Sequence, residues 1–87
     1  MIYTKDNPKL VSYYDVFIEK QNFTGVVKSK YSTFAYYVNG ELHREDGPAV
    51  EWADGEVHWI LHGLRYGKDE DFTNESWIRF VKLELLK

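Results

Sequence analysis

The sequence predicts a mainly β chain of the α+β class: an antiparallel meander of short β-hairpins capped by one C-terminal amphipathic helix. Three observations predict it. Strand-like segments recur at an offset of 22–23 residues, glycine-containing turn signals separate them, and after Thr73 the apolar spacing becomes helical. The chain of 87 residues suffices for one domain with one modest core. Three Trp, seven Tyr and five Phe let that core bury more surface than its length suggests.

Residues 1–24 read as a degenerate first β unit. After an Asn7-Pro8 turn, the run from Lys9 to Ile18 is β-branched and aromatic, which favours strand over helix. Residues 25–69 read as two further units. Tyr36-Tyr37-Val38-Asn39-Gly40 aligns with Trp59-Ile60-Leu61-His62-Gly63 at an offset of 23. Phe23-Thr24-Gly25-Val26-Val27 aligns with Asp46-Gly47-Pro48-Ala49-Val50, and Tyr13-Tyr14-Asp15-Val16 falls beneath Ala35-Tyr36-Tyr37-Val38. Val50-Glu51-Trp52 alternates as a strand, Ala53-Asp54-Gly55-Glu56 supplies an Asp-Gly hairpin signal, and Val57 to Leu61 returns. Gly40 and Gly63 end their strands in the same sense, and Asp46-Gly47-Pro48 turns into the next strand. Residues 74–86 form the helix. Thr73 is its N-cap, Glu75 sits in the first turn, and Lys82 and Lys87 lie toward the C-terminal end, as the helix dipole prefers.

The absence of cysteine excludes a disulfide framework, a thiolate zinc site and a cysteine nucleophile, and it suits a reducing compartment. The start, MIYTKDNPKLVSYY, lacks the basic-then-apolar pattern of a signal peptide, and no apolar run approaches the roughly 20 residues of a membrane helix. A cytoplasmic location is expected, with no membrane partner. The net charge of −3 is unevenly spread. Residues 1–40 and 76–87 each carry +2, whereas residues 41–75 carry ten acids against Arg44, Arg65 and Lys68. That distribution argues against direct nucleic-acid binding.

The stretch YYVNGELHREDGPAVEWADGEVHWILHGLRY resembles MORN-type repeats, close to the YwqK-like variants of small bacterial and phage proteins. One copy is nearly intact from Asn39 to Val50, and the next begins at His62-Gly63 and decays into Leu64-Arg65-Tyr66-Gly67. The resemblance implies a meander of β-hairpins used as a scaffold. It implies no particular activity.

His43-Arg44-Glu45-Asp46 is the densest polar cluster. One reading makes His43 a general base oriented by Glu45 or Asp46, with Arg44 as an anion clamp. The other makes the string a structural turn: Asp46 accepting backbone N–H bonds, Arg44 pairing with a carboxylate and Gly47 taking a special φ. The resemblance to a repeat unit favours the turn. His58 and His62 have i, i+4 spacing, but on a strand they stand roughly 13 Å apart, too far for one ion. Neither a metal nor any other cofactor is expected. No phosphate-binding loop, dinucleotide fingerprint, nucleophile elbow or zinc-protease motif occurs, so an enzyme is disfavoured.

The expected function is a small non-enzymatic protein-binding module whose acidic and aromatic surface meets a basic partner. Glu41, Glu45, Asp46, Glu51, Asp54, Glu56, Asp69, Glu70, Asp71 and Tyr37 are its candidate contact residues. Size, charge placement and the resemblance suggest an accessory protein of a phage or mobile element. Such a protein would inhibit a host defence factor, for example a CRISPR or other nucleic-acid-binding effector. The alternative is a structural homo-oligomer built by pairing hairpin edges. A third reading is a small metal-dependent hydrolase using His43, His58 and His62.

Overall fold

The computed structural model describes residues 3–11, 22–29 and 32–86. Among these residues, seven strands form one mixed sheet: β1 (Lys9–Val11), β2 (Gly25–Ser29), β3 (Phe34–Val38), β4 (Glu41–Leu42), β5 (Val50–Glu51), β6 (Val57–Leu61) and β7 (Leu64–Lys68). A 3-10 turn (Asp69–Asp71) leads from β7 toward the single described helix, α1 (Asn74–Leu85). The order across the sheet is β1-β2-β3-β5-β6-β7, with β4 also paired to β3. The run expected as strand from Lys9 to Ile18 is strand over Lys9–Val11; its remainder, with Tyr13-Tyr14, lies outside the described residues.

Among the described residues every pairing is antiparallel except β1 with β2, which is parallel, Leu10 lying opposite Lys28. The meander therefore starts at β2, since a parallel pair cannot be joined by a tight turn. Two hairpins repeat the same local solution. Asn39 and Gly40 have φ of +50° and +82°, and His62 and Gly63 have +49° and +78°. Positive φ at both central residues belongs to the type I′ turn, whose twist matches that of the flanking strands. The 23-residue offset between Asn39-Gly40 and His62-Gly63 is thus a geometric repeat.

β3 is paired along one side by two short strands in succession. Tyr37 and Val38 face Leu42 and Glu41 of β4, while Phe34 and Ala35 face Glu51 and Val50 of β5. Between them, residues 43–49 leave the sheet as a loop. Its two ends are held at Tyr36, whose carbonyl accepts the His43 N–H and whose N–H donates to the Ala49 carbonyl.

Strand alternation sends side chains into two cores. On one face Val27, Ala35, Tyr37, Ala49, Val50 and Ile60 pack with Phe23, Leu42 and Trp52. On the other, Trp59 and Leu61 meet Trp77 and Val81 of α1, with Phe72 and Phe80 alongside. Trp77 is fully buried, and its ring lies 5.6 Å from that of Trp59 and 4.9 Å from that of Phe72. The helix starts where the sequence places it: the Thr73 hydroxyl accepts the Ser76 N–H, and Ser76 Oγ accepts the Thr73 N–H in return. No helix among the described residues is long and apolar enough to cross a membrane.

Candidate functional site

The HREDGP string builds the loop over Tyr36. Arg44 lays its guanidinium 4.0 Å from the centroid of the Tyr36 ring. Its Nε donates to Asp46 Oδ1 at 2.8 Å, and its Nη1 donates to the Pro48 carbonyl and to Glu51 Oε2, each at 3.2 Å. Lys5 reaches the other Glu51 oxygen at 2.9 Å. The hydrogen bond to Glu51 raises the Lys5 ammonium above its ordinary value. Burial likewise pushes the Tyr36 phenol up, with the nearby Arg44 charge opposing it.

Gly47 differs from the expectation of a special φ, because it is not among the residues with positive φ. Close approach makes it glycine: a Cβ there would stand 2.7 Å from Arg44 Cζ. Asp46 departs from expectation too, its carboxylate receiving the Arg44 side chain rather than serving as a backbone cap.

His43 is buried, and both its ring nitrogens are engaged. Nδ1 accepts the His62 N–H at 2.9 Å, so that nitrogen carries no proton and Nε2–H donates to Glu45 Oε2 at 2.8 Å. The His62 ring lies 4.3 Å away, between His43 and Glu41. No nitrogen of His43 is left to face a substrate. Arg44 also receives contacts through its backbone: its N–H donates to the Ile60 carbonyl, and its own carbonyl accepts Trp77 Nε1–H at 2.9 Å. The string is a clasp joining β3, β6 and α1. His58, at the other end of β6 from His62, packs against Trp52 at 4.5 Å. Among the described residues, no three His, Asp or Glu side chains are grouped to hold a metal ion.

The candidate contact residues separate into several places. Asp54, Glu56, Asp69 and Glu70 come together, lining a shallow groove of about 650 Å³ with Gly55 and Val57. Asp54 Oδ1 accepts the Glu56 N–H and Asp69 Oδ1 accepts the Val57 N–H, which fixes both carboxylates at the rim. Among the described residues, none of these four acids pairs with a lysine or arginine. Glu45 and Asp46 border a second groove of about 520 Å³ that shares no residue with the first. Glu51 is consumed by Arg44 and Lys5. Glu41 stands beside the His62 turn, and Asp71 accepts the Lys68 N–H.

Tyr37 is a correction. It is 3% exposed and belongs to the first core, where alternation along β3 turns it inward. Its neighbour Tyr36 is the half-buried ring on the opposite face. Sequence reasoning also missed Lys5, 46 positions before Glu51, for which no local pattern gives a signal. The edge strand β7 carries features that discourage pairing with another chain: an irregularity between Trp59 and Ile60 in its register, exposed Arg65 and Lys68, and the Lys68 N–H already taken by Asp71. Compared with protein-family models, curated proteins and solved structures, the chain matches none of them.

Proposed function

We propose that this chain is a small non-enzymatic protein-binding module, built on MORN-like hairpin units, that docks on the basic surface of a partner protein. The observation that carries this reading is the groove of Asp54, Glu56, Asp69 and Glu70, whose acids face solvent without a lysine or arginine counter-ion among the described residues. Exposed like charges in one concavity cost little stability and favour encounter with an opposite charge. The hydrogen bonds at both nitrogens of His43 support the non-enzymatic reading of the densest polar cluster. A basic surface of the required kind is what nucleic-acid-binding proteins present. The reading therefore extends to an accessory protein that occludes such an effector in a host cytoplasm.

The test is capture from a bacterial lysate at low ionic strength, with bound proteins quantified by mass spectrometry. Glu56→Lys with Glu70→Lys is the comparison variant, since neither side chain accepts a backbone hydrogen bond among the described residues. The wild-type chain is expected to retain nucleic-acid-binding proteins, and both added salt and the double variant to release them. An identical captured set for both chains would refute the reading.

A further inference from the structure

The second groove has a different character from the acidic end. By alternation and cross-strand pairing, Val26 and Tyr36 lie opposite one another on one face of β2 and β3, with Val38 following on the same face. These three side chains line the groove, Val26 at only 6% exposure, with Arg44 stacked on Tyr36 beside them. Glu45 and Asp46 stand at the rim with side chains 54% and 75% exposed. Each is pinned by one oxygen, Glu45 Oε2 by His43 and Asp46 Oδ1 by Arg44. The other oxygen of each, Oε1 and Oδ2, accepts no hydrogen bond from a described residue. The three charged side chains that line the groove, Arg44 against Glu45 and Asp46, sum to −1.

We propose that this groove seats a lysine side chain of a partner segment, its methylene stem along Val26, Tyr36 and Val38 and its ammonium between Glu45 and Asp46. The inference rests on reading the chain as a module for basic partners and adds the contact that would select the residue. Lysine fits both parts of the groove, since its stem is apolar and its head is a compact cation with three donors. Pinned carboxylates lower the ordering cost of binding, because their side chains are already held. The turn acids of the other groove offer charge beside more polar walls.

The test is a titration of the isotope-labelled protein, followed by amide chemical shifts, with three capped tetrapeptides: acetyl-Gly-Val-Lys-Gly-amide and its norleucine and glutamate analogues. The lysine peptide is expected to shift Tyr36, Val38, Glu45 and Asp46. The norleucine peptide, which keeps the stem and loses the charge, is expected to bind about tenfold more weakly, as loss of a charge-assisted contact implies. Glu45→Gln should weaken the lysine peptide alone. Val38→Lys, which fills the groove from the strand without touching the clasp, should abolish its shifts, with thermal melting confirming that each variant folds. Shifts confined to Gly55, Glu56 and Glu70, or equal affinity for lysine and norleucine, would overturn the proposal. Loss of lysate capture in the Glu56→Lys/Glu70→Lys variant is read separately, so failure of the groove and failure of the broader reading are distinguishable.

Discussion

Tyr36 and Trp59 occupy equivalent positions 23 residues apart, and both point to the same face of the sheet, yet the molecule covers them by different means. Tyr36 is covered from within its own unit, by Arg44 at 4.0 Å. Trp59 is covered by Trp77, which comes from α1. The offset explains the change. The position equivalent to Arg44 is Gly67, and there a Cβ would stand 2.9 Å from the Phe72 ring. Where one unit spends an arginine, the next supplies a vacancy that lets Phe72 approach Trp59 to 5.7 Å. Gly67 thus leaves at the second position the space that Phe72 fills just before the helix. The two covers are also joined, since Trp77 Nε1–H donates to the Arg44 carbonyl.

The comparison is broken most severely at Trp77. Trp77→Ala removes a fully buried ring and orphans the Arg44 carbonyl, and the expected cost is about 3–5 kcal/mol, measured by urea denaturation. In so small a domain that loss approaches the whole stability. A cost near that of a surface substitution would show that the helix does not hold the sheet.

The two close-approach glycines sharpen the contrast between an aromatic and an ionic cover. Gly67→Ala presses on a packed ring and on Asp71 Cβ, so it should cost about 1–3 kcal/mol through overpacking. Gly47→Ala meets the flexible end of Arg44, which can swing away at the expense of its hydrogen bonds, an expected loss of about 1–2 kcal/mol. In an Arg44→Ala background the Gly47→Ala cost should largely vanish, while that of Gly67→Ala should persist; a double-mutant cycle reads this directly. Additive costs for Gly47→Ala and Arg44→Ala would mean that the arginine does not dictate the glycine.

The smallest expected effect is a titration. Burial holds the Tyr36 phenol above its ordinary value, and the Arg44 charge partly offsets this. A raised folded pKa gives a contribution to stability that is present below the unfolded phenol pKa and is lost as pH rises through the folded one. Difference absorbance against Tyr36→Phe should place this phenolate above an ordinary tyrosine, and Arg44→Met should move it higher still. A shift downward on removing Arg44 would dissolve the stacked pair as an electrostatic unit.

The sequence by itself determined what is local. Thr73 with Ser76, Asn39-Gly40, His62-Gly63 and the Asp54-Gly55 turn are settled by residues within a few positions, so their hydrogen bonds and φ values can be read along the chain. The hairpin turns and the helix start follow from such signals. The separation of the acids was not legible. Glu51 and Asp54 stand three positions apart in sequence, but one is taken by Arg44 and Lys5 while the other lines an open groove. Nor could alternation alone decide which of Tyr36 and Tyr37 enters the first core, because a strand only guarantees that they differ. Tertiary structure made those decisions. It chose the buried face, brought Lys5 across 46 positions to Glu51 and set Arg44 against Gly47, because burial and charge pairing depend on distances in space that the order of residues does not contain.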